Sequence, residues 1–211
     1  MLKIIIMGAG GCGREAMLWA EDQYGDREDL AIAGYIDDNL QALANLKSSY
    51  QVLGTIRDWQ PEPDQRFVCA IAKPAIRKAI VTDYKQRGAT FISVIHPSAL
   101  IASTSVIGEG AIISPHALVS DNTIIGDFVI LNLHTIIAHD ARVGSYCTLS
   151  SFCDVTGNVK LGDEVFLGSH ASIVPGIVVQ DGAFICAGST VMTNVKANTK
   201  VLGTPARKFA L

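Results

Sequence analysis

The chain has 211 residues, with 17 Lys and Arg against 20 Asp and Glu, a net charge of −3, and 49% apolar residues. This balance excludes nucleic-acid binding by bulk charge, and 18% charged residues with 7 Pro exclude a disordered chain. No apolar stretch approaches the ~20 residues of a membrane span, and the apolar start Ile4 to Met7 runs into glycines rather than a signal cleavage site; a cytoplasmic protein with no membrane partner is expected. The five cysteines (Cys12, Cys69, Cys147, Cys153, Cys186) contain no C-x-x-C pair and read as reduced thiols.

Lys3 to Met7 reads as a short buried strand, followed by Gly8-Ala9-Gly10-Gly11-Cys12-Gly13 and a helix to about Gln23. This is G-x-G-x-x-G between strand and helix, where glycines let a phosphate approach the backbone and the helix N-terminus offers its amides. A second strand, Ala31 to Ile36, ends in Asp37-Asp38, where a ribose hydroxyl is usually held. Phe67 to Ala72 is predicted as a third strand, Pro74 to Gln86 as a helix and Ala89 to Ile95 as a fourth strand, with the domain boundary near residue 97. An NAD-dependent oxidoreductase is the first alternative this motif raises, but residues 1–97 leave room for only half a doubly wound domain.

From Ile101 to Val191 every sixth residue, sixteen in succession, is Ile, Leu or Val, and the fourth residue after each is small or β-branched in nearly every hexad. A six-residue unit is too short for a strand plus crossover helix. It predicts a parallel β-helix of about five ~18-residue coils over residues 98–211, with Cys147 and Cys153 as small core fillers.

A short glycine-loop α/β domain followed by an uninterrupted left-handed β-helix resembles the sugar acyltransferases of the sialic acid O-acetyltransferase family. Within it the chain is most similar to the nucleotide-amino-sugar N-acetyltransferases of the bacillosamine type. The motifs are the opening G-x-G-x-x-G, Tyr35-Ile36-Asp37-Asp38, Ala70-Ile71-Ala72 with Ile76-Arg77, His96-Pro97-Ser98-Ala99, Asn132 to Asp140, Val155 to Val159, and Gly203-Thr204-Pro205-Ala206-Arg207. The resemblance implies acetyl-coenzyme A as donor and a nucleotide-linked amino-deoxysugar, UDP-linked, as acceptor. It implies His139 as catalytic base with Asp140 beside it, where the family typically has Glu. Gly10, Gly11, Cys12, Asp37, Asp38 and Ala72 would contact the sugar nucleotide, Ala72 standing where the bacillosamine enzymes have Gly. Ser169 and Ala187 would contact the coenzyme, as would Thr148, which replaces a second His. O-acetylation of a sialic acid is the alternative within the family.

Acyl transfer to an amine needs a base near neutral pKa, which suits one His. His139 lies two residues past the inward Ile137, near a turn, and a backbone amide near Gly157, one coil on, would serve as oxyanion donor. The spacing of His116, His134 and His139 also resembles the zinc site of gamma-class carbonic anhydrases, but Ser98 stands where a third ligand would be, and no metal is expected. His139 and Gly157 share one column and Ser169 and Ala187 another, and the thirty residues from His139 to Ser169 put the two columns near different edges of the prism. An edge of six residues spans at most ~20 Å, too far for a thioester on one column to meet a base on the other. A homotrimer with active sites between subunits closes that gap without an open end.

Overall fold

The computed structural model describes residues 1–209. The N-terminal unit comprises β1 (Leu2–Met7), α1 (Gly11–Tyr24), β2 (Leu30–Ile36), β3 (Val52–Gly54), β4 (Gln65–Cys69) and α2 (Pro74–Gln86). Its four strands pair in parallel in the order β3-β2-β1-β4. The central β1 is apolar at successive positions because both its faces are covered. Ile4 and Ile6 pack against Ala16, Met17 and Ala20 of α1, and Ile5 and Met7 lie in the cluster of Val81 and Tyr84 of α2.

The fourth strand of this sheet is β3, in a segment where the sequence reading places none. The strand expected over Ala89 to Ile95 divides instead. Phe91 keeps a single bridge to Phe67, whereas β5 (Val94–Ile95) pairs with Ile112–Ile113 and begins the solenoid. The backbone groups of Val94 and Ile95 thus find partners one coil ahead.

The solenoid is a left-handed β-helix. Two-residue strands alternate with tight corners and form three parallel faces. The first face runs through Ile112–Ile113, Ile130–Leu131, Thr148–Leu149, Phe166–Leu167 and Phe184–Ile185; the second from Leu100–Ile101 to Thr190–Val191; the third from Val106–Ile107 to Val178–Val179. Partners within a face are 18 residues apart, such as Ile136 with Asp154 and Ile137 with Val155. The aliphatic at every sixth position points inward, and from Ile113 to Val191 all of them are buried. Every sixth residue from Gly110 to Gly188 has positive φ and turns a corner, most of them non-glycine. Past Val191 the period breaks: Val179 bridges Val195 and Ile185 pairs with Val201, each 16 residues on, so the last coil is two residues short.

The N-terminal unit sits on the outside of the first face. Outward-facing Ile112 and Ile130 join the α1 cluster, and Phe128 joins the α2 cluster. At the centre of this contact Arg77 of α2 is fully buried. Its guanidinium donates to five acceptors: the carbonyls of Ile71, Phe128, Tyr146 and Cys147, and the hydroxyl of Thr148. Burial pulls its pKa below the ordinary arginine value, and no carboxylate is among its bonded partners.

Two stability predictions follow from these contacts. Replacing Arg77 orphans buried carbonyls that only a planar fork can reach together. Arg77→Met is expected to lower unfolding free energy by roughly 3 kcal/mol, and Arg77→Lys to restore little of it; urea midpoints at constant slope measure both. In the β1 to α1 turn, a Cβ on Gly13 would stand 1.8 Å from the Gly8 carbonyl oxygen, whereas one on Gly10 meets nothing within 4 Å. Gly13→Ala should therefore cost ~3 kcal/mol or more by overpacking, and Gly10→Ala should leave the thermal midpoint close to that of the parent chain.

Candidate active site

His139 stands at the corner between the second and third faces, between strands Ile136–Ile137 and Arg142–Val143. Its side chain is 61% exposed, and its Nδ1 lies 2.9 Å from Oδ2 of Asp140. A carboxylate can only accept, so Nδ1 carries a proton, and in the neutral ring Nε2 is left bare. The other oxygen of Asp140 accepts from the side-chain amide of Asn122, one coil back, at 2.6 Å. The hydrogen bond from His139 and then that from Asn122 hold the Asp140 carboxyl below the usual carboxylate range.

The ring of His139 lies over Gly157 of the next coil, where a Cβ would come within 2.7 Å of Cε1 and Nε2. Only glycine leaves the imidazole that position. The Gly157 N–H has no acceptor among the described residues, which leaves it a donor beside the bare nitrogen. A base with a fixed tautomer and an adjacent unpaired amide can together take a proton and stabilise a developing oxyanion.

The glycine loop lies elsewhere. Gly8, at φ +97°, turns the chain out of β1, and Gly10 and Gly11 are exposed with open space above them. Gly10 caps α1 without a side chain, so the first amides of the helix are unblocked for an anion. Asp37 has both oxygens engaged, one by the Ala9 N–H at 2.7 Å and one by the Asn39 N–H at 2.8 Å; it shapes the loop. Asp38 is exposed and accepts one bond, from the Arg57 N–H, which leaves an oxygen for a hydroxyl or a base. The Cys12 side chain is half-buried against the α1 cluster, and burial pushes its thiol up to about 11, so it presents a backbone amide and no thiolate.

Ser169 and Ala187 share a column at the corner between the first and second faces, the first half-buried and the second exposed. The neighbouring column is a ladder of rings, His116, His134, Phe152 and His170, stacked at 5.2, 4.9 and 4.9 Å. His134 thus belongs to a different corner from His139. Thr148 departs from the expected coenzyme contact: it is 2% exposed, donates to the Ala72 carbonyl at 2.8 Å and accepts from Arg77 at 2.9 Å. Its side chain joins the two domains and is closed to a ligand. Ala72 itself is exposed, with its carbonyl taken by that bond. Asn122, absent from the sequence reading, was detectable there as the residue 18 before Asp140.

Among the described residues no helix is long and apolar enough to cross a membrane. Residues 3–84 match the PglD N-terminal domain family. The chain is 28% identical over 116 residues to the UDP-N-acetylbacillosamine N-acetyltransferase of Bacillus subtilis (strain 168), an alignment covering 53% of this chain and 51% of that protein. It superposes on WeeI from Acinetobacter baumannii AYE with a TM-score of 0.89 and 27% identity, over 99% of this chain and 100% of that one. PerB from Caulobacter crescentus, solved with CoA and GDP-perosamine, gives a TM-score of 0.87 at 23% identity over 99% and 97% of the two chains. Residues 3–84 are thus similar to the PglD N-terminal domain, and the whole chain shares with these solved structures a fold in which a small α/β unit is joined to a left-handed β-helix.

Proposed function

We propose that the chain is an acetyl-coenzyme A-dependent N-acetyltransferase acting on the amine of a nucleotide-linked amino-deoxysugar, a UDP-linked 4-amino-4,6-dideoxy sugar, and that it works as a homotrimer. In this reading the sugar nucleotide lies along the Gly10 to Cys12 amides with Asp38 toward its nucleoside. Ala72 borders the sugar, and the coenzyme follows the Ser169 and Ala187 column. The amine attacks the thioester carbonyl while Nε2 of His139 takes the N–H proton. The Gly157 N–H donates to the oxyanion, and collapse breaks the C–S bond and expels the coenzyme thiolate, which takes the proton from the imidazolium and leaves an amide on the sugar. Asp140 stabilises the imidazolium that forms.

One observation carries the assembly. The N-terminal domain covers the first face, whereas His139 stands on the corner opposite it, between the second and third faces. A sugar held by the glycine loop therefore has the width of the prism between its amine and the His139 of its own chain, far beyond the few ångströms that attack allows. The His139 corner of a neighbouring copy removes that gap, and cyclic three-fold closure repeats the contact. The names of the relatives support the chemistry, two of them being N-acetyltransferases of amino sugars or structures with a nucleotide-linked one bound.

Thiol release from acetyl-coenzyme A with a panel of UDP-, GDP- and dTDP-linked amino sugars tests the activity, and no turnover with any of them overturns it. With the acceptor found, His139→Ala is expected to lower kcat by roughly 10²- to 10⁴-fold with sugar-nucleotide affinity retained. For assembly, His139→Ala and Asp38→Ala chains should each be impaired, and mixed oligomers should recover part of the activity, since some interfaces pair an intact base with an intact sugar site. A monomer in solution, or no recovery in verified mixed trimers, contradicts the shared site.

A further inference from the structure

We propose that Asn122 is a positioning residue for the base: it pins one oxygen of Asp140 so that the other holds Nδ1 of His139 and Nε2 stays bare toward the substrate. The inference rests on the reading of His139 as base. Asn122 and Asp140 occupy successive rungs of one corner column, both with positive φ, 52° and 60°. Their side chains therefore leave the solenoid in the same direction one coil apart, and Nδ2 of Asn122 reaches Oδ1 of Asp140 at 2.6 Å. Because a carboxylate only accepts, the amide must present its NH₂ end.

Asn122 is itself anchored on two sides. Its N–H donates to the Thr104 hydroxyl at 3.0 Å, and its carbonyl accepts from the Arg142 guanidinium at 2.5 Å. The Asp140 N–H donates to the Asp121 carbonyl at 3.0 Å. The other charged groups at this corner are the Arg142 guanidinium and the Asp121 carboxylate, the latter already occupied by the Thr104 hydroxyl at 2.5 Å. Asn158 stands on the next rung. Without Asn122 the half-exposed Asp140 carboxylate could turn about both its side-chain torsions, and the exposed imidazole would lose the fixed partner that selects its tautomer. Holding both at once is the preorganisation a general base needs.

The test uses two variants that suit the backbone. Asn122→Gly removes the amide and favours the positive φ; Asn122→Asp keeps the shape and replaces the donor with a repelling acceptor. Nitrogen NMR on histidine-labelled protein, with His139 assigned through His139→Gln, should show the Nδ1–H tautomer in the parent chain and a mixture in both variants. With the acceptor found above, kcat should fall on the order of tenfold, the low end of what loss of an outer-shell partner costs at metal-bound histidines, with KM for both substrates unchanged. In an Asp140→Ala background Asn122→Gly should have no further effect on kcat, because it acts through Asp140. An unchanged tautomer in both variants, a raised KM, or an additive loss in the double variant overturns the proposal. The NMR arm needs no turnover, so a failure to find an acceptor would sink the functional reading and leave this one testable.

Discussion

Everything in this molecule depends on one constraint: each turn of the solenoid must return after 18 residues so that its backbone groups meet those of the coil below. Once Ile137 faces inward and pairs beside Val155, residues 18 apart in sequence are stacked neighbours about 4.8 Å apart in space. Sequence spacing becomes spatial position, and the corners become columns. Gly157 lies over His139 and Asn122 under Asp140 for this reason alone. The shortened last coil ends the regularity, and the antiparallel pairing of Val201–Leu202 with Arg207–Lys208 covers the last parallel rung of the first face with a short, basic edge strand.

The same constraint explains what the sequence disclosed. An aliphatic at every sixth position has no other compact solution, so the solenoid, its phase and its buried residues were all readable. The glycine loop was readable because Gly8 needs positive φ and Gly13 tolerates no Cβ. What escaped was set by tertiary contact. Val52–Gly54 is too short for a periodic signal and becomes a strand only because β2 offers it a free edge. Val94–Ile95 reads equally well as the last strand of one domain or the first of the next, and the pairing with Ile112–Ile113 decides. Thr148 was expected at the coenzyme from the resemblance alone, since nothing local indicates that another domain lies over it.

That covering domain is fixed to the solenoid in an unusual manner. Arg77 is a buried cation whose charge is dispersed over carbonyl dipoles and one hydroxyl rather than matched by a carboxylate. Its acceptors come from the corner and first face of successive coils and from the Ile71 carbonyl, so the planar fork sets an orientation as well as a distance. Thr148 completes the joint by donating to Ala72. The glycine loop is consequently held at one height along the prism, opposite particular coils.

The conformation of the corners accounts for the pairing of His139 with Asp140. Consecutive residues in extended chain point apart, and nothing in the order His139-Asp140 by itself brings imidazole and carboxylate together. At φ 60° Asp140 swings its side chain back across the corner, where Oδ2 meets Nδ1 of its neighbour. Left-handed backbone costs most residues about 1–2 kcal/mol, and least for Gly, Asn and Asp. The other two corners have glycine only at Gly110, Gly182 and Gly188 and otherwise carry His, Phe, Tyr and Glu from residue 116 to 170, most of them stacked rings, whereas this one reads Asn122, Asp140, Asn158, Gly176. The column with the most permissive residues is thus the one in which side-chain direction is set by backbone and hydrogen bonds rather than by packing. That leaves its imidazole both oriented by Asp140 and open to solvent.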